Sequence, residues 1–169
     1  MREALIFDHM KFIAIAELGA VFVGFVSIFL AFTQAKGIFT EIDRLRARII
    51  IYSGFVVVFA ALVPVVLHDL SLPSVLAWQM AAGIYVFIAS LVTFDVVRRQ
   101  RKLRTDADVS QTTKRFQVFS RALNALVFVA AIPIFAAYNQ PGFYFMMLVA
   151  TLTMAGITFV SFALHRLVD

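Results

Sequence analysis

Five long apolar runs follow one another along the chain, and nearly all of its charged side chains fall between them. The runs cover about 12–32, 49–67, 75–97, 123–138 and 143–164. A helix that crosses a bilayer needs about 20 consecutive, mostly apolar residues. The pattern therefore predicts an all-α, polytopic integral membrane protein: one bundle of five transmembrane helices that takes in the whole of 1–169. Composition agrees. Hydrophobic residues make up 62% of the chain and charged residues 15%, against about 45–50% and about 25% in soluble domains. A soluble fold of this length could not bury so much apolar surface.

The fourth run is the weakest. It contains Asn124 and Pro133, and a tight Asn139-Gln140-Pro141-Gly142 turn separates it from the fifth. A re-entrant fourth segment would leave four crossings. The loop charges favour five. Lys36, Arg44, Arg46 and Arg48 follow the first run. Arg98, Arg99, Arg101, Lys102, Arg104, Lys114, Arg115 and Arg121 lie between the third and fourth, and Arg166 follows the fifth. Only Arg2 and Lys11 fall on the other side. Cytoplasmic loops carry the excess of Lys and Arg. This places the N-terminus outside and the C-terminus in the cytoplasm, which requires an odd number of crossings. The opening residues lack a basic segment and carry Glu3 and Asp8, so the first run reads as a retained signal-anchor rather than a cleaved signal peptide. The expected location is a cell membrane of the bacterial inner-membrane kind.

Several helices are expected to outrun the bilayer. Thr40 followed by Glu41 and Asp43 has the chemistry of a helix start, so the second helix should begin near Glu41. The third has no breaker before Thr105. The polar stretch Thr105–Thr113 reads as a mobile loop. Pro64 and Pro133 are expected to bend their helices.

The first run carries the most informative side chain, Glu17. It lies five residues past Phe12, about 7–8 Å inside the boundary at a rise of 1.5 Å per residue. An acid at that depth is costly unless it is paired, protonated or hydrated. Glu17, Ala20, Gly24, Ser27, Ala31 and Gln34 recur at spacings of three and four, so they share one small, polar stripe. Leu18, Phe22, Phe25, Phe29 and Phe32 form a bulky face opposite. Two readings follow. The stripe, with Ala16, is a close-packing surface on which Glu17 hydrogen-bonds a neighbour, or it faces water and Glu17 forms an acidic ring in an oligomer.

Other polar residues gather at the outer ends of the runs. His68 and Gln79 could join Glu17 in an outer vestibule if the first three helices are neighbours. His68 at a span end also reads simply as a headgroup contact, as do Trp78 and Tyr138. Asp95 sits one helical turn before Arg98 and Arg99, the spacing of a surface ion pair. Arg98, Arg99, Arg101, Lys102 and Arg104 should touch anionic lipid headgroups. Asn124 reads as a hydrogen bond between helices.

An enzyme is not expected. There is no cysteine, no His/Asp/Glu cluster at metal-ligand spacing and no phosphate-binding loop, so no metal or cofactor is anticipated. The basic residues flank membrane spans, which argues against nucleic acid. The expected partners are the bilayer, its anionic headgroups and further copies of the chain or a larger membrane complex. The leading expectation is a small oligomeric channel-like protein that passes cations or protons, with the first helix lining the path. The alternative is a non-catalytic scaffold or accessory subunit that docks another membrane protein. If the charge split sets the orientation, reporters placed after Asp169 or within Thr105–Thr113 report from the cytoplasm, and one placed between Asn139 and Gly142 reports from outside. A cytoplasmic report from that last site would mean a re-entrant fourth segment.

Overall fold

A helix in a bilayer has no hydrophobic drive to meet its neighbour, because lipid tails are as apolar as leucine. Close backbone approach and hydrogen bonds must hold the bundle instead. The computed structural model describes residues 2–35, 41–104, 111–138 and 140–168. It is all helical: α1 (Arg2–Ala35), α2 (Glu41–Asp69), α3 (Ser74–Arg104), α4 (Gln111–Phe135) and α5 (Gln140–Val168). The central pair is α2 and α5. Against it pack α1, which lies mainly along α2, and α4, which lies along α5, while α3 joins α2, α4 and α5.

Four of the helices are long and apolar enough to cross a membrane, over Met10–Ala35, Asp43–Asp69, Ser74–Arg99 and Gln140–Leu164. The apolar part of α4 is shorter, Asn124–Phe135, about 18 Å at 1.5 Å per residue. The starts expected for α2 near Glu41 and the end of α3 before Thr105 agree with the helix bounds. Two expectations shift. Residues 105–110 of the anticipated loop lie outside the described residues, and its last three, Gln111, Thr112 and Thr113, already belong to α4. The turn before α5 is also displaced. Asn139 lies outside the described residues, while Gln140, Pro141 and Gly142 open α5, because proline is tolerated in the first turn of a helix, where its missing N–H has no partner to lose. The reversal of the chain occurs just before it, over Ala136–Tyr138.

The core repeats at helical spacing, and many of the residues at the helix contacts are small. Gly19 and Ala16 of α1, Gly54, Ala60 and Ala61 of α2, Ala77, Ala81 and Ala82 of α3, Ala130 and Ala131 of α4 and Ala155 of α5 are buried. The large apolar side chains Val21, Ile28, Phe59, Phe87, Phe94 and Ile132 point outward. At the α1–α2 contact, a Cβ on Gly19 would stand 3.1 Å from Val58, and a Cβ on Gly54 would collide with Val23. The two glycines let these backbones approach. One end of the bundle is aromatic, where Phe12 meets Trp78 at 5.4 Å and Tyr144 at 5.9 Å between ring centroids. The N-terminal ends of α3 and α5 therefore lie together beside the Phe12 level of α1, and Arg98 and Arg99 mark the opposite end of α3.

Two places where backbone carbonyls lack an internal donor are served by side chains. Pro64 lacks the N–H that would serve the carbonyl of Ala60 one turn earlier. The Tyr144 hydroxyl of α5 donates to that carbonyl at 2.7 Å. At the C-terminal end of α4, Ile132 accepts from the Ala136 N–H, Pro133 from Tyr138 and Ile134 from Ala137. Ala137 holds a left-handed φ of 59° to close this cap. The Gln79 side-chain amide supplies Phe135 at 3.1 Å, and Gln140 adds a second donor to Ile134 at 3.3 Å. Tyr144→Phe should cost about 1 kcal/mol of stability, since it strands the Ala60 carbonyl. In a Pro64→Ala background the same change should cost much less, because the restored N–H at position 64 takes over. A thermal double-mutant cycle in detergent reads the difference, and additive effects would refute the pairing.

Candidate functional site

The division of small residues inside and bulky residues outside breaks down on α1. Glu17, Ala20, Gly24, Ser27, Ala31 and Gln34 are all exposed. A Cβ on Gly24 would meet nothing within 4 Å. The buried face of the helix is Phe12, Ile15, Ala16, Gly19, Val23, Val26 and Leu30. Ala16 therefore packs within the chain, whereas Ala20 and Gly24 do not. The aromatic face provides intramolecular contacts instead. Phe22, Phe25 and Phe29 stand edge-on around Phe159 of α5, with centroids 6.0, 5.6 and 5.2 Å away, and Phe29 also meets Phe162 at 5.8 Å. Leu18, Phe25 and Phe32 of that face are nonetheless exposed, so the buried face lies between the aromatic face and the small stripe, and no residue of the stripe is buried.

Along that stripe Glu17 makes no hydrogen bond or ion pair with any described residue. Ser27 turns its hydroxyl back onto its own helix and donates to the Val23 carbonyl at 2.8 Å. Ala20, Gly24 and Ala31 have no polar side-chain atoms. Glu17 is therefore the single charge on a surface that is otherwise small and nearly apolar.

The residues considered for a vestibule have separate surroundings. Helix α1 runs beside α2 and α5 and meets α3 through Phe12 against Trp78. Gln79 faces α4, where it caps Phe135. His68 lies in the last turn of α2, part-buried and in contact within the chain. No hydrogen bond or ion pair among the described residues links Glu17 to either. At the basic end, Arg98 and Arg99 are exposed. The Arg99 Nε–H donates to both carboxylate oxygens of Asp95, at 3.0 and 2.9 Å. Arg101, Lys102 and Arg104 continue α3, and their side chains lie outside the described residues. Asn124 reaches across to the Met154 sulfur of α5 at 3.6 Å. Trp78 is more than an interfacial ring, since it packs on Phe12 and on Tyr144.

One buried polar group escaped sequence reasoning. The Tyr85 and Thr151 hydroxyls bond each other, and both stand within hydrogen-bond distance of the Met147 carbonyl, at 3.3 and 3.1 Å, so one proton joins the hydroxyls and the other goes to the carbonyl. Its neighbour Tyr144 could have been anticipated, because Pro64 announces an unserved carbonyl. Nothing local to Tyr85 names its partner. Among the described residues no three His, Asp or Glu side chains gather closely enough to hold a metal ion. No protein family matches the chain, and no curated protein or solved structure matches it.

The two glycine environments of α1 and α2 give alanine opposite effects. Gly24→Ala should raise the stability of the isolated chain by up to about 1 kcal/mol through helix propensity. Gly54→Ala should lower it by about 1–3 kcal/mol, because the new methyl strikes Val23. Val23→Ala should recover part of that loss. Thermal unfolding of the monomeric form in detergent measures all three, and equal shifts at the two glycines would overturn the assigned packing.

Proposed function

We propose that this is a multi-pass cell-membrane protein whose copies assemble through the outward face of α1 and pass cations or protons along the Glu17 stripe. The observation that carries the reading is Glu17 itself: an exposed carboxylate on a membrane-length helix, with no hydrogen bond or ion pair among the described residues, beside a row of small residues. On insertion scales a charged side chain at a helix centre costs about 2.5–3.5 kcal/mol. Facing a shared axis would surround Glu17 with water and other carboxylates, and carboxylate rings select cations. The interior of a single chain is filled by Tyr85, Tyr144, Met147 and Phe162. A path between copies suits this packing better than one through a subunit.

In this reading all five helices cross the membrane, with the N-terminus outside and the C-terminus in the cytoplasm. Asn124 meets Met154, 14 residues along α5 from Gln140, or about 21 Å at helical rise. That depth supports a full crossing by α4 despite its short apolar segment. The basic first half of α4 would reach the cytoplasmic interface, where Lys and Arg extend their charges toward water.

A second reading, a non-catalytic subunit that docks a different membrane protein, draws on Ser27. Its hydroxyl is already used by Val23, and the alanines and glycine beside it suit close helix packing more than a wet wall. Purified protein in liposomes separates the two. For the channel, cation or proton flux appears and Glu17→Gln reduces the flux or its selectivity while leaving the oligomer intact. The chain has no cysteine, so single cysteines are clean probes. Ala20→Cys and Gly24→Cys should cross-link between copies, and Phe25→Cys, on the opposite aromatic face, should not. Absence of flux together with absence of self-cross-linking would remove the channel reading and leave the docking subunit.

A further inference from the structure

Helices α1 and α5 touch at two levels and stand apart between them. At the aromatic end Phe12 meets Phe145 at 6.1 Å. Farther along, Phe159 sits among Phe22, Phe25 and Phe29. Between these contacts lies a groove of about 520 Å³ bordered by Lys11, Ala14 and Leu18 of α1 and by Val149, Leu152 and Thr153 of α5. Ala14 is too short to reach the facing helix. Both helices leave the aromatic end in the same direction, so Lys11 stands at the mouth and Leu18 near the inner limit. The seven-residue step between them measures about 10 Å at helical rise.

The lining decides what fits. Leu18, Val149 and Leu152 offer hydrocarbon, and the Thr153 hydroxyl is the one neutral polar side-chain group on the wall, so a polar ligand would lose most of its hydration without compensation. A transmembrane helix is about 10–12 Å across with its side chains, too wide for a slot bounded by the Phe12–Phe145 contact beside its mouth and by the Phe159 cluster beyond its inner limit. A single acyl chain fits. The charge is at one end, where Lys11, one residue before Phe12, is exposed at the N-terminal edge of the membrane-length segment Met10–Ala35. Lys11 also has a contact within the chain. An ammonium carries three donors, so that contact is compatible with a phosphate.

We infer that the α1–α5 groove is a binding site for an anionic phospholipid of the leaflet at the aromatic end, with one acyl chain between the helices and the phosphate on Lys11. The site lies on a different side of α1 from the Glu17 stripe and holds whether or not the chain conducts ions. It is also separate from the basic rim at Arg98 and Arg99, on the far side of the bilayer.

Native mass spectrometry tests this on delipidated full-length protein given equal amounts of phosphatidylglycerol and phosphatidylcholine with identical chains. The wild type should retain phosphatidylglycerol preferentially. Lys11→Gln should cut that preference about fivefold, the effect of one lysine near a membrane surface. Ala14→Trp fills the groove from an exposed position and should lower retention of both lipids. Thr153→Trp does so from the α5 side if the first variant fails to fold. Arg98→Gln with Arg99→Gln should leave the preference unchanged. An unaltered preference in Lys11→Gln, or a preference lost only with Arg98 and Arg99, would overturn the site. Displacement of the phospholipid by an equal amount of oleate would overturn the assignment to a phospholipid.

Discussion

Within a bilayer a backbone carbonyl that lacks an internal donor finds no water to replace it. Much of the bundle's arrangement follows from where such carbonyls occur. Pro64 strands one at Ala60 in the middle of α2, and Tyr144 of α5 serves it. That bond links the two central helices at a level set by a single proline. The C-terminal end of α4 strands four more. Two side-chain amides, from Gln79 on α3 and Gln140 on α5, complete the set begun by the local cap. Gln79 thus ties α3 to α4, and Tyr85 with Thr151 ties α3 to α5. These polar side chains are few, and each one used in this way connects two helices.

Between the hydrogen bonds, packing relies on residues too small to keep backbones apart. Gly19 against Val58 and Gly54 against Val23 bring α1 onto α2, and alanines do the same around α2, α3 and α4. The bulky residues left outside are matched to lipid. This makes the outer face of α1 informative. Ala20, Gly24 and Ala31 have the composition of an interior and the exposure of a surface, with the Glu17 carboxylate near one end. A further helix would complete that face as Gly54 completes the one at Gly19. The aromatic side of the same helix follows a different logic, in which Phe159 is held edge-on by three rings and lipid-sized space remains where α1 and α5 diverge.

Some side-chain roles were visible from spacing alone. Asp95 and Arg99 lie one turn apart on a single helix, so their ion pair needs no tertiary information. The division of α1 into a small and an aromatic face was equally plain, because helical periodicity sorts residues without reference to neighbours. Which face would meet the rest of the chain was not. Small residues favour close approach, and that argued for the stripe. The structure places Gly19 and Val23 there, about a quarter-turn away, because Gly54 of α2 offers the complementary gap. Gln79 shows the same limit: its depth resembled that of Glu17, while its partner depends on the position of the end of α4.

By itself, then, the sequence determined an all-helical membrane-type chain, the approximate extent of its long helices and the chemistry of each helix face. Those properties arise from hydropathy, charge and a repeat of 3.6 residues, all local to a segment. The tertiary structure decided which faces meet. It paired Tyr144 with Ala60 and Tyr85 with Thr151, turned Gln79 to α4, left the Glu17 stripe outward and opened the groove beside Lys11. Each of those outcomes depends on the relative height and rotation of two helices distant in sequence, a quantity that no single segment encodes.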